Sequence, residues 1–136
     1  MILLKAHLLI EEELQAFIDR SVRDASLLTK ARFTFAQRLI LAEALHSDPN
    51  CFRYGWVWEA ARDLNALRNQ MAHNLEPKDF SNRLASLAKS IEANLPLPIK
   101  PGEGTEYEMA RFGFVVSVLN LCLTRLLHSK HYAAPQ

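Results

Sequence analysis

Apolar residues recur along this chain at steps of three and four, and nowhere do they alternate at the two-residue period of a strand. That spacing restricts the chain to helices whose apolar stripes must face a common core. Leu4, Leu8, Leu14, Phe17, Ile18 and Val22 mark a first helix from about Ile2 to about Val22, with His7 and Glu11 four apart beside the stripe. Thr34-Phe35-Ala36-Gln37 has the form of a capping box: a hydroxyl and an amide three residues apart satisfy the free backbone donors of a starting helix. Leu39, Ile40, Leu41, Ala42 and Leu45 then form the buried side of that second helix. Ser47-Asp48-Pro49-Asn50 ends it, because Pro49 cannot continue a helix and biases Asp48 toward extended geometry.

An aromatic passage from Phe52 to Trp58 leads into a third helix, from about Val57 to about His73, with Ala60, Leu64, Leu67 and Met71 as its core stripe. Asn65, Arg68, Asn69 and Ala72 fall on a neighbouring face, with His73 at its margin. Asn74-Leu75-Glu76-Pro77 stops this helix. Asp79 or Ser81 caps a fourth, which runs to about Asn94 with Leu84, Leu87, Ala88 and Ile91 inward. Pro96 to Gly104 reads as a loop, stiff at its prolines and flexible at its glycines. A fifth helix follows from about Glu106 to about Leu127, and residues 128–136 read as a frayed tail. No internal repeat is present. The expectation is an all-α fold, a single-domain antiparallel bundle of about five helices spanning residues 1–136.

Composition narrows the function classes. A chain of 136 residues can bury one proper core. Its formal charge of +1 provides no global basic field, so any nucleic-acid contact has to be local. Cys51 and Cys122 lie far apart without metal-ligand spacing, which reads as two reduced, buried thiols and no metal or cofactor. The apolar first ten residues run into Glu11-Glu12-Glu13 with no small-residue cleavage site, so a secreted product is not expected. The apolar run from Phe112 to Leu127 is interrupted by Asn120 and Thr124 and falls short of a membrane span. A buried core helix, no membrane partner and a cytoplasmic protein are the corresponding expectations. His7, His46, His128 and His131 match no motif and read as solvated surface, whereas Trp56 and Trp58 read as core or interface.

The remaining feature is Leu64-Asn65-Ala66-Leu67-Arg68-Asn69-Gln70-Met71-Ala72-His73-Asn74. Arg68 carries a fork of donors matched to phosphate oxygens. His73 is of the residue type that exchanges protons near neutral pH. Asn69, one turn before His73, is placed to orient the imidazole or to bind a phosphate oxygen. Each has a structural alternative: Arg68 pairing with a first-helix carboxylate such as Glu11 or Glu12, and His73 capping a helix end whose dipole favours an imidazolium.

On these residues the chain resembles the HEPN superfamily, small helical domains marked by an Arg-x4-6-His motif, many of them ribonucleases or toxins. The resemblance implies metal-independent RNA cleavage that leaves a cyclic phosphate, with Arg68 and His73 as the motif residues and no cofactor; Asn69 joins them as a candidate site residue by its position one turn before His73. It implies a homodimer in which two protomers bring their motifs together, in a toxin–antitoxin or phage-defence setting with an antitoxin or regulatory protein as a further partner. Some such toxins carry a tyrosine two residues after the motif histidine, which a nucleotidyltransferase antitoxin modifies; this chain has Leu75 there. The alternative is a non-catalytic regulatory or interaction module, HEPN-like or similar to the helical mannitol-repressor-like regulators.

Overall fold

A computed structural model describes residues 2–47, 55–73, 77–95 and 105–128. Among them are five α-helices and one 3₁₀ helix, with no strand: α1 (Ile2–Ser21), the 3₁₀ helix (Ala25–Lys30), α2 (Phe35–Leu45), α3 (Trp56–Ala72), α4 (Pro77–Glu92) and α5 (Thr105–His128). The all-α expectation holds. The expected breaks at Asp48–Asn50, Asn74–Glu76 and Pro96–Gly104 lie outside the described residues. So do Cys51, the aromatics Phe52 and Tyr54, and the tail from Ser129 onward.

α1 packs against α5, α2 and α3, while α4 closes the other side against α3 and α5. The core lies where these contacts meet, among Ile10, Leu14 and Ile18 of α1, Val57, Trp58 and Leu64 of α3, Ile91 of α4, and Leu119, Leu123 and Leu126 of α5. Each such side chain contributes roughly 1.5–3 kcal/mol on leaving water. The segment Ala110–His128 is long and apolar enough to cross a membrane, contrary to the length argument from sequence. Its Phe112, Val115, Leu119, Leu123 and Leu126 are nonetheless buried against the other helices.

Several sequence expectations need correction. Leu4 and Leu8 do not face the core; Leu8 is 54% exposed. Leu3, Ala6, His7 and Ile10 take the inward positions, because the first half of α1 is apolar on two sides and packing against α5 and α3 selects one. Ile40, placed inward by its run of neighbours, is also exposed, and Leu39 and Ala42 carry the contact. α4 starts at Pro77 rather than after Asp79 or Ser81. Proline suits the first helical position, where its missing N–H has no partner to lose, and Asp79 in the first turn complements the helix dipole. α3 ends at Ala72, with His73 as its C-cap. The 3₁₀ helix was not anticipated; Asp24 caps it by accepting from the Ser26 backbone N–H at 3.1 Å.

The capping box at α2 forms as expected: the Gln37 N–H donates to Thr34 Oγ1 at 3.2 Å, and the Thr34 N–H donates to Gln37 Oε1 at 2.9 Å. Thr34→Ala removes half of it and is expected to cost about 1 kcal/mol, which lowers Tm by roughly 3–5 °C in a chain of this size. Thermal denaturation followed by circular dichroism reads this directly, and an unchanged Tm would mean that the cap contributes nothing to α2.

Two histidines expected on the solvated surface are buried. His7 is 7% exposed: its Nε2 donates to Asn65 Oδ1 at 2.9 Å, and its ring stacks on Phe35 with centroids 4.2 Å apart. His46 is 4% exposed; its Nε2 donates to the Leu126 carbonyl at 2.7 Å, and its ring lies between Phe17 and Trp58. The Leu126 carbonyl belongs to the last turn of α5, so this bond ties the C-cap of α2 to the end of α5. His128 matches its expectation: exposed, with Nε2 3.4 Å from Glu13 Oε2.

Candidate functional site

The three residues singled out from sequence all lie at the C-terminal end of α3. Asn69 and His73 are exposed, and Arg68 is partly buried. His73 has φ −103° and ψ 27°, and its N–H bonds the Gln70 carbonyl at 3.1 Å, the tighter pattern that ends many helices. The cap is therefore made by the backbone of His73, which leaves its imidazole to solvent.

Helix geometry decides which of these side chains can act together. Five residues along an α-helix turn the chain by about 140° and advance it about 7.5 Å. Arg68 and His73 of one protomer consequently diverge, with Asn69 between them in azimuth. Arg68 Nη1 donates to Asn69 Oδ1 at 3.4 Å, a long contact, while no bond joins Asn69 to the His73 ring among the described residues. The expected orienting role of Asn69 toward His73 is thus not made within one chain.

The structural alternative for Arg68 does not hold, because another residue takes that place. Arg38 Nη1 donates to Glu11 Oε1 at 2.5 Å, and Arg38 Nε donates to Gln15 Oε1 at 2.8 Å, tying α2 to α1. Arg62 pairs with Glu43, and Arg111 is held by both oxygens of Glu92, Nη2 reaching Oε2 at 2.7 Å. Arg68 and Arg83 have no carboxylate partner among the described residues. A guanidinium without an anion is one that an external anion can engage.

Arg83 lines a groove of about 320 Å³ between α3 and α4, formed by Asp63, Ala66 and Gln70 on one side and Arg83, Ser86 and Ser90 on the other. Buried Leu67 and Leu87 form its base. Partial burial pushes the Asp63 carboxyl above the usual carboxylate range, Glu59 adds to the rise, and Arg62 opposes it. Sequence reasoning missed this groove. Its signal was the spacing Arg83-x2-Ser86-x3-Ser90, a polar face on the most amphipathic-looking helix, which by itself is indistinguishable from a solvated surface.

Among the described residues no group of three or more His, Cys, Asp and Glu side chains is placed to hold a metal ion. Cys122 is a free thiol, half-buried on α5, and burial raises its pKa against the opposing influence of Arg125. No known family model, curated protein or solved structure matches this chain.

Proposed function

We propose that this chain is a HEPN-like, metal-independent endoribonuclease that acts as a homodimer, its helices forming an antiparallel bundle and its site combining Arg68, Asn69 and His73 from both protomers. The observation that carries this reading is the divergence of Arg68 and His73 around α3, together with the solvent access of His73 and the absence of a carboxylate partner for Arg68 among the described residues. One protomer cannot close that pair on a single phosphate. A twofold axis beside the end of α3 brings the arginine of one protomer toward the histidine of the other.

The chemistry then follows from the residue types. One imidazole takes the proton of a ribose 2′-hydroxyl as its oxygen bonds to the adjacent phosphorus. The arginine fork holds the phosphate oxygens as charge accumulates in the transition state. The P–O5′ bond breaks, the imidazole of the second protomer, in its protonated form, gives its proton to the leaving 5′-oxygen, and a 2′,3′-cyclic phosphate remains. In a cell this activity belongs to a cytoplasmic toxin or phage-defence component held in check by a protein antitoxin. Leu75 lacks the hydroxyl that a modifying antitoxin requires, which leaves a binding antitoxin as the partner.

A second reading, a non-catalytic interaction module, draws on the exposed apolar side chains Leu4, Leu8 and Leu9 of α1 and Phe114 and Leu121 of α5. Such faces are what a protein partner covers. An RNA cleavage assay with the purified chain in excess chelator separates the two readings. The enzyme is expected to cut RNA undiminished, leave cyclic-phosphate ends and scatter light as twice its chain mass. Activity lost to chelator and restored by magnesium, or a monomer mass at micromolar concentration, would overturn the composite metal-free site. No cleavage of any RNA supplied would favour the module.

A further inference from the structure

We propose that the groove between α3 and α4 is a one-nucleotide subsite, with Arg83 and Gln70 holding a phosphate beside His73 and Asp63 receiving the amino group of a base at the far end. The assignment rests on the ribonuclease reading, since it names the part of RNA that lies next to the histidine.

Its starting point is the azimuth of His73. Side chains three or four apart on a helix are neighbours, and those seven apart lie on the same side. Gln70 and Ala66, three and seven residues before His73, both line the groove. Arg68 lies about 140° away around the axis. The guanidinium on the His73 side of the same protomer is therefore Arg83, contributed by α4.

Charge sets the direction of the occupant. Only four residues separate Ala72 from Pro77, and α4 packs on α3, so α4 runs back along it. Arg83 is the groove residue on α4 nearest that connection, as Gln70 is on α3; Ser90 and Asp63 are the most distant. One end thus presents a guanidinium and an amide. The other presents the Asp63 carboxylate with Glu59 one turn before it, which repels a phosphate. A phosphate is admitted only at the Arg83 end.

Size and base chemistry complete the assignment. The seven residue steps from Asp63 to Gln70 cover about 10.5 Å of helix axis, comparable with one nucleotide from phosphate to base edge. The groove volume of about 320 Å³ falls at the lower end of the range for small-ligand sites. Leu67 and Leu87 offer an apolar base for the sugar and ring, and the Ser86 hydroxyl is positioned to bond a ribose oxygen. A carboxylate accepts hydrogen bonds, so Asp63 favours bases with an exocyclic amino group (cytosine, adenine and guanine) over uracil, which presents carbonyl oxygens there.

Calorimetric titration of the full chain with the four nucleoside 3′-monophosphates and their nucleosides tests this, using wild type, Arg83→Ala and Asp63→Ala. Both substitutions are at exposed helix positions, and unchanged circular dichroism confirms folding. Wild type is expected to bind each amino-bearing nucleotide about fivefold or more tightly than the uridine nucleotide, and each nucleotide more tightly than its nucleoside. Arg83→Ala should weaken all four nucleotides about tenfold, the loss of one charge-assisted hydrogen bond. Asp63→Ala should erase the base preference and keep the advantage of nucleotide over nucleoside. Equal binding of nucleotide and nucleoside by wild type, or wild-type affinity in Arg83→Ala, overturns the subsite. RNA cleavage without nucleotide binding also overturns it while leaving the enzyme reading intact. Nucleotide binding with this variant pattern, in a chain that cuts no RNA, supports the groove and overturns the enzyme.

Discussion

Replacing His73 with alanine is expected to lower RNA cleavage by about 10²–10⁴-fold, the usual contribution of a positioned proton-transfer group. RNA affinity should stay near that of wild type, because proton transfer matters in the transition state and little in the bound ground state. Stability should stay near that of wild type as well. The His73 side chain is exposed, and the cap it forms uses its backbone N–H, which alanine retains. Arg68 behaves differently. Arg68→Ala should reduce both affinity and turnover, since the guanidinium holds the phosphate before and during reaction, and Arg68→Lys should recover only part, because a point charge does not reproduce the bidentate fork. Cleavage and filter binding measured on the same variants separate these effects. A His73→Ala protein that cuts RNA at the wild-type rate removes His73 from the chemistry and returns it to a helix-capping role.

The largest expected effect on stability comes from Trp58→Ala. Trp58 is 1% exposed, at the start of α3, where its ring and that of His46 meet in a T-shaped arrangement at a centroid distance of 6.0 Å. Truncating a buried tryptophan typically costs 3–5 kcal/mol, the lost transfer of the ring plus the cavity it leaves. Here the cavity would also loosen His46, whose bond to the Leu126 carbonyl joins α2 to the end of α5. A domain of this size has only about 5–15 kcal/mol of stability, so Tm should fall by roughly 10–20 °C. Denaturant unfolding of the two proteins gives the free energy directly. A loss below about 1 kcal/mol would show that the ring does not anchor the junction of α2, α3 and α5.

Local features of the fold were readable without coordinates because their causes are local. Thr34 and Gln37 bond each other's backbone within one turn, so their spacing alone predicts the start of α2. Ala60, Leu64 and Leu67 recur at helical steps and are all buried, which located α3 and with it the order of Arg68, Asn69 and His73 along one helix. Pro77 misled because proline both stops a helix and suits its first position, and the difference depends on where the next helix begins.

Where two answers fit the local pattern, packing chose between them. The first half of α1 has apolar residues on two sides, and only the approach of α3 and α5 turns Leu3 and Ile10 inward and leaves Leu8 in solvent. His7 and His46 looked like surface residues because their partners, Asn65 and the Leu126 carbonyl, lie 58 and 80 residues away. The same holds at the candidate site. The sequence by itself determined an all-α chain that ends its third helix with an arginine and a histidine five residues apart. Tertiary structure alone decided that Arg38, not Arg68, neutralises Glu11. It alone placed Arg83 in one groove with Gln70 and Asp63, because contacts between helices depend on how their faces are turned toward each other, which no single helix encodes.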